Sequence, residues 1–296
     1  MKMFEKTVSV DRDFFSENSL ERMKKLTCSL KLYNSKPSSE KEVIKRIGNA
    51  DCVLVTWQTP ITKNVIESCG KIRYIGVIGK TPNIDMKKAR ENGIAVSNIA
   101  HYGHEAVPEF IFACLLYLAR GVGRHRWKSQ PCELGGKTIG IVGMGCCGQE
   151  MALHALRFCM NVKYYSKTRK PDMEKKGAKY VPLKKLLSEC DIISMHTPAK
   201  TLVLKKHHLD SLKEGTILVD TCLGGSIDQN YFLELTKRKR IIGVFDLVTG
   251  NQFYLKSRHN ENVLFPNVIA GRTIESADLI GNKIVENMKT FLKNDK

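Results

Sequence analysis

Several absences narrow what this chain of 296 residues can be. No apolar run approaches the roughly 20 residues that a membrane span needs. The opening MKMFEKTVSVDRDFF carries charges inside its only apolar stretch, which does not match a secretory signal. Ten cysteines are present, but no C-x-x-C pair occurs among them. Several, such as Cys52 in ADCVLV and Cys114 in FIFACLLYL, lie in strongly apolar segments. This pattern excludes the common zinc spacings and points to reduced, buried thiols in a cytoplasmic protein. Low-complexity tracts and short repeats are also missing. Acidic residues are scarce, 30 against 48 Lys and Arg, for a net charge of +18. The basic residues are scattered, and the denser groups KKHH (205–208) and KRKR (237–240) fall at the ends or outer faces of predicted helices. A solvated lysine-rich surface therefore explains them better than nucleic-acid binding does.

What is present is an alternation. Apolar β-rich runs appear at DCVLVTW (51–57), IRYIGVIG (72–79) and IAVSNI (94–99). Helix-like segments lie around them at 39–49, 62–69 and 85–92, punctuated by Gly70, Gly79 and Gly93. A long apolar segment, 104-HEAVPEFIFACLLYLARGVGRHR-126, reads as a buried helix bridging two halves. The alternation then restarts, with strands expected at 138–143, 161–166, 191–196, 216–221, 241–246 and 262–265. A last amphipathic helix over 274–294 is expected to fold back on the first half. Alternating strands and helices predict an α/β chain with a parallel sheet and helices on both faces.

The most specific single motif is 138-TIGIVGMGCCGQEMALHAL-156, a strand running into Gly143-x-Gly145-x-x-Gly148 and then directly into a helix. The first glycine permits the tight turn, and the second lets backbone approach a pyrophosphate. The third lets helix and strand pack closely, with the helix N-terminus facing the anion. Cys146 and Cys147 lie inside that loop. A dinucleotide site of the NAD type has a carboxylate roughly 20 residues further on, for the ribose 2′-hydroxyl. None occurs in 164-YYSKTRK-170; Ser166, Lys167, Thr168 and Arg169 stand there instead. Hydroxyls and cations suit a 2′-phosphate, so NADP(H) is expected over NAD(H).

Several segments together resemble the D-isomer-specific 2-hydroxyacid dehydrogenases. They are 77–110, GKTIGIVGMGCCG, LKKLLSECDIISMHTP (183–198), GTILVDTCLGGSID (215–228) and NVLFPNVIAGRT (262–273), in family order. The YYSKTRK turn is most similar to the glyoxylate and hydroxypyruvate reductase branch. The resemblance implies a doubly wound, Rossmann-type nucleotide domain, residues 100–273. It would be inserted into a smaller flavodoxin-like substrate domain made of 1–99 and 274–296. It also implies a homodimer formed through the nucleotide domain. Thr197 and Pro198 would lie near the nicotinamide ribose. Thr221 and Cys222 would offer backbone groups to the nicotinamide end, and Asp246 would contact the carboxamide.

The resemblance further implies a catalytic Arg, Glu and His, and here the chain departs from it. The family turn N-x-A-R-G is replaced by Asp220-Thr221-Cys222-Leu223-Gly224, which puts Leu223 at the Arg. In the run D-V-x-x-x-E-P the Glu position falls near Asn251, and in T-P-H-I-G-G the His position falls on Val268 or Asn267. Leu and Val neither hold a carboxylate nor transfer a proton. A 2-oxo acid would lose an anchor worth about 2–4 kcal/mol. Other groups stand in candidate positions: Lys80 beside Gly79 for an anionic substrate, and His101 or Tyr102, in the crossing IAHYGHEAVPE, as proton donor. The expectation is an NADP(H)-dependent oxidoreductase acting on a small carbonyl, imine or activated double bond. The rival is a catalytically degenerate dinucleotide-binding sensor or partner subunit.

Overall fold

Strands of a parallel sheet are covered by helices on both faces, so they read as continuous apolar runs rather than as alternation. The computed structural model bears this out over the residues it describes: 3–11, 15–79, 83–99, 102–199 and 201–295. The chain divides into two compact units, Met1–Tyr102 with Thr273–Lys296, and Gly103–Arg272.

The first unit contains β1 (Thr7–Ser9), α1 (Glu17–Lys24), β2 (Leu30–Leu32), α2 (Glu40–Ile47), β3 (Cys52–Thr56), α3 (Lys63–Ser68), β4 (Tyr74–Ile78), α4 (Met86–Glu91) and β5 (Ala95–Ile99). All its pairings are parallel, in the order β2-β1-β3-β4-β5, which is the flavodoxin order. Its helices start where a short polar side chain can take the orphan amides: Ser39 accepts from Glu42 N, Thr62 from Val65 N and Asp85 from Lys88 N. The C-terminal helix, Ile274–Asn294, belongs to this unit. Its Ile280, Ile284, Val285 and Met288 pack with Phe4, Met23, Leu54 and Tyr74. The elements β1, α1 and β2 lie in a stretch where the sequence pattern gives no element.

The second unit contains α5 (Ala106–Arg120), β6 (Thr138–Val142), α6 (Cys146–Arg157), β7 (Asn161–Tyr165), α7 (Pro171–Lys175), β8 (Lys179–Tyr180), α8 (Leu183–Glu189), β9 (Ile192–Met195), α9 (Lys206–Asp210), β10 (Ile217–Asp220), α10 (Gln229–Arg238), β11 (Ile242–Phe245), α11 (Asn251–Ser257) and β12 (Val263–Leu264). The order is β12-β11-β10-β9-β6-β7-β8, again all parallel. Strand order reverses between β6 and β9, and ligands of such sheets sit at the carboxyl ends of the strands at that switch. The helix expected over 104–126 is shorter than its apolar pattern. It ends at Gly121, whose left-handed backbone (φ 61°) closes it. Its buried residues, among them Ile111, Leu115 and Leu118, join the core around Ile139, Ile141 and Met151 of the second unit.

Candidate dinucleotide site and the loop after β10

The phosphate loop leaves the middle of the sheet, where β6 is flanked by β7 and β9. Gly143 takes φ +98°, and a Cβ there would meet the His196 carbonyl oxygen at 2.4 Å. A Cβ on Gly148 would meet the Gly143 carbonyl oxygen at 2.1 Å. These two glycines are required by the protein's own packing. Gly145 is different: a Cβ there would meet nothing within 4 Å, so the chain leaves that space open. Gly145 is also the N-cap of α6, with no side-chain cap and no acidic residue in the first turn. A helix start left uncapped and free of negative charge beside open space suits a phosphate group. The residues present therefore fit a dinucleotide. Cys146 is exposed in this loop, and burial pushes the Cys147 thiol up to about 11.

At the end of β7, Ser166 is half-buried, and Lys167, Thr168 and Arg169 are exposed. The turn is held from below by Tyr164, whose hydroxyl accepts from Lys170 N at 2.7 Å and donates to Glu174 Oε1 at 2.6 Å. Arg169 donates to the same carboxylate through Nε at 3.0 Å and Nη2 at 2.5 Å. The Arg169 hydrogen bond and the Tyr164 hydroxyl hold the Glu174 carboxyl below its usual range. Glu174 had no place in the sequence reading, because its pairing depends on the fold of the turn.

The loop after β10 is shaped by Asp220, a fully buried carboxylate. It accepts from Cys222 N at 3.0 Å and from Ser226 N at 2.7 Å. Burial raises its pKa, and those two amides oppose the rise. Gly224 N donates to Val248 O at 2.9 Å, and Thr249 Oγ1 donates to Asp220 O at 3.0 Å. Half-buried Thr221 and Leu223 are carried on this frame. Cys222 is buried, its thiol donating to Met195 O at 3.3 Å, with a pKa raised by burial. Its side chain packs in the core of the second unit. Thr197 N donates to its sulfur at 3.3 Å, while Pro198 is exposed.

Burial pushes the Asp246 carboxyl up to about 6, although Ala270 N donates to its Oδ2 at 2.8 Å. The folded chain therefore keeps a proton that an unfolded Asp, near 3.9, has already released. Stability contributed here is greatest below about pH 4 and falls as pH rises towards about 6, by about 3 kcal/mol in all. Asp246→Asn is expected to flatten that part of the pH profile relative to the parent, measured as urea midpoints between pH 3.5 and 7. Parallel profiles for the two proteins would contradict it.

His196 shares a 2.9 Å hydrogen bond between its Nε2 and Ser194 Oγ, and burial pushes its pKa down to about 4. It is a neutral packing residue near neutral pH. Exposed Asn251 opens α11, and Asn267 and Val268 are exposed after β12. Tyr102 packs against the apolar cluster of the first unit. His104 lies in the turn before α5 rather than in the helix. Lys80 and His101 lie outside the described residues. Among the described residues, no group of three His, Cys, Asp or Glu side chains is placed to hold a metal ion. Nor is any helix among them long and apolar enough to cross a membrane.

Comparison with known proteins decides the family. The model of the D-isomer specific 2-hydroxyacid dehydrogenase, NAD binding domain, matches residues 115–270, just over half of the chain. The chain belongs to the D-isomer-specific 2-hydroxyacid dehydrogenases. A hydroxypyruvate reductase of Blautia hydrogenotrophica is 32% identical over 85% of this chain and 85% of its own length. A glyoxylate reductase of Korarchaeum cryptofilum is 31% identical, over 88% and 85%. Among solved structures, an acyclic imino acid reductase in complex with NADPH and D-arginine is 26% identical, with a TM-score of 0.81, over 98% and 97%. D-lactate dehydrogenase from Escherichia coli shares the fold at a TM-score of 0.85 and 22% identity, over 99% and 98%. As a member of this family the chain is a nicotinamide-dinucleotide-binding oxidoreductase, with a Rossmann domain and a second parallel α/β domain.

Proposed function

We propose that this 2-hydroxyacid dehydrogenase family member is an NADPH-dependent reductase of a small carbonyl, imine or activated double bond, without the family's ionic substrate clamp. The observation that carries this reading is the loop after β10. Asp220 fixes its backbone, and the loop holds out Leu223, which has no charge to offer a carboxylate. The cofactor, when bound, supplies a hydride. Gly143, Gly145, Cys146, Cys147 and Gly148 would hold its pyrophosphate. Ser166, Lys167, Thr168 and Arg169 would hold its 2′-phosphate, and Thr197, Pro198, Thr221, Cys222 and Asp246 its nicotinamide end. On the substrate side, His101, Tyr102 or water would deliver the proton, and Lys80 would attract an anion.

An imine fits an acid-poor site well. Its nitrogen is protonated in water, so the electrophile brings its own activating charge, and proton transfer from a side chain adds little. The relative solved with NADPH, an imino acid reductase, supports the same direction. The second reading, a dinucleotide-binding sensor without turnover, rests on the same Leu223 and is separated from the first by any NADPH oxidation.

Calorimetry tests the cofactor assignment. NADPH is expected to bind about tenfold or more tightly than NADH, the effect of one or two charge-assisted contacts to the 2′-phosphate. Equal or tighter binding of NADH would remove the role given to Ser166–Arg169.

A further inference from the structure

The turn after β7 contains a carboxylate, Glu174, in the fork of the very arginine expected to meet a phosphate. Two roles are open to such a group. It can compete with the phosphate for the guanidinium, or it can aim the guanidinium at it. The geometry distinguishes them. Glu174 meets Arg169 side-on, through Nε and Nη2. A guanidinium has five N–H groups in a planar fork, and a side-on pair uses two. The two hydrogen bonds to Glu174 leave Nη1 of Arg169 unused. Glu174 is itself held by a third donor, the buried Tyr164 hydroxyl, at 2.6 Å. Tyr164 in turn accepts from Lys170 N, one residue beyond the arginine. The Arg169 guanidinium also lies over the Tyr180 ring, 5.3 Å from its centre. Arg169 is thus held along one edge by Glu174 and set over the Tyr180 ring, and its remaining edge is turned away from the carboxylate. An exposed arginine without these neighbours would sample many rotamers and lose that freedom on binding.

We propose that Glu174 is a positioning residue for the ribose 2′-phosphate, acting through Arg169 with Tyr164 as its support. The proposal rests on the NADP(H) reading above and deepens it. Tyr164 is anchored in the sheet, so the chain from strand to hydroxyl to carboxylate to guanidinium sets the arginine's place relative to the phosphate loop of the same sheet. Glu174 favours the 2′-phosphate without touching it, and its removal leaves the rest of the nucleotide's contacts in place.

The test uses 2′,5′-ADP and 5′-AMP, which differ only in the 2′-phosphate, titrated into the full chain. The parent is expected to hold 2′,5′-ADP about tenfold more tightly than 5′-AMP. E174A should lose most of that preference while 5′-AMP binding stays within about twofold, since a merely structural loss would weaken both ligands. E174Q, which keeps one acceptor for Tyr164 and Arg169, should retain part of it. In the R169A background, E174A should have no further effect, because the residue through which it acts is gone. Unchanged or tighter 2′,5′-ADP binding by E174A, or additive losses in the double variant, would overturn the proposal alone. A parent that holds both ligands equally would overturn the NADP(H) reading and this proposal together.

Discussion

Gly145→Ala is expected to leave the protein as stable as the parent and to weaken NADPH binding about a hundredfold, a loss of about 3 kcal/mol. The stability half follows from the open space around Gly145. Its backbone sits at φ −77° and ψ −168°, which alanine adopts without strain, and the added Cβ meets nothing of the chain within 4 Å. The affinity half follows from the same space, which a bound pyrophosphate would need. Gly148→Ala provides the contrast. Its Cβ would meet the Gly143 carbonyl oxygen at 2.1 Å, and that oxygen belongs to the backbone and cannot swing aside, so α6 must move away from β6. Overpacking of this kind costs about 1–3 kcal/mol of stability. It also displaces the helix N-terminus, so this variant should lose stability and cofactor binding together. Thermal melts and NADPH titrations on the two variants check the pair. Undiminished NADPH binding by Gly145→Ala would mean that the pyrophosphate does not lie against this loop.

Much of this architecture is legible in the residues themselves. Strands such as CVLVT and ILVD are long, apolar and bounded by turn residues, so their period and flanks give them away. The glycine loop is readable because its spacing places Gly143 and Gly148 where the chain packs against itself and Gly145 where it leaves space open. Other elements are hidden by length: TVS, LKL and KY are too short to carry a period, and only their neighbours in the sheet define them. The helix ending at Arg120 is overestimated because apolar and basic residues continue beyond it, whereas the left-handed Gly121 stops it.

Site residues divide along the same line. Leu223 can be singled out from the sequence, since an apolar residue stands in a loop that the family resemblance marks for an Arg. Asp220 is not visible as the brace of that loop, since its acceptors matter only once Cys222 N and Ser226 N have been folded over it. Glu174 escapes for the same reason. Its link to Arg169 is five residues long in sequence and depends on Tyr164 coming up from β7 beneath both.

The largest expected effect concerns the substrate. An arginine clamp in a dry site is worth about 2–4 kcal/mol, and loss of general acid catalysis removes a further factor of about 10²–10⁴. Together they place 2-oxo acids about a thousandfold or more below the rates of an enzyme that has both groups. A substrate that needs neither clamp nor side-chain acid escapes this penalty. Purified protein with NADPH should then reduce hydroxypyruvate and glyoxylate barely or not at all, and should oxidise NADPH with a member of an imine and aldehyde panel. The most direct measurement is kcat/KM for hydroxypyruvate beside that panel, followed by NADPH absorbance at neutral pH. The account predicts a hydroxypyruvate value at least about a thousandfold below the best imine or aldehyde. Brisk hydroxypyruvate turnover, at or above every panel member, would contradict it and make the chain an ordinary 2-hydroxyacid enzyme.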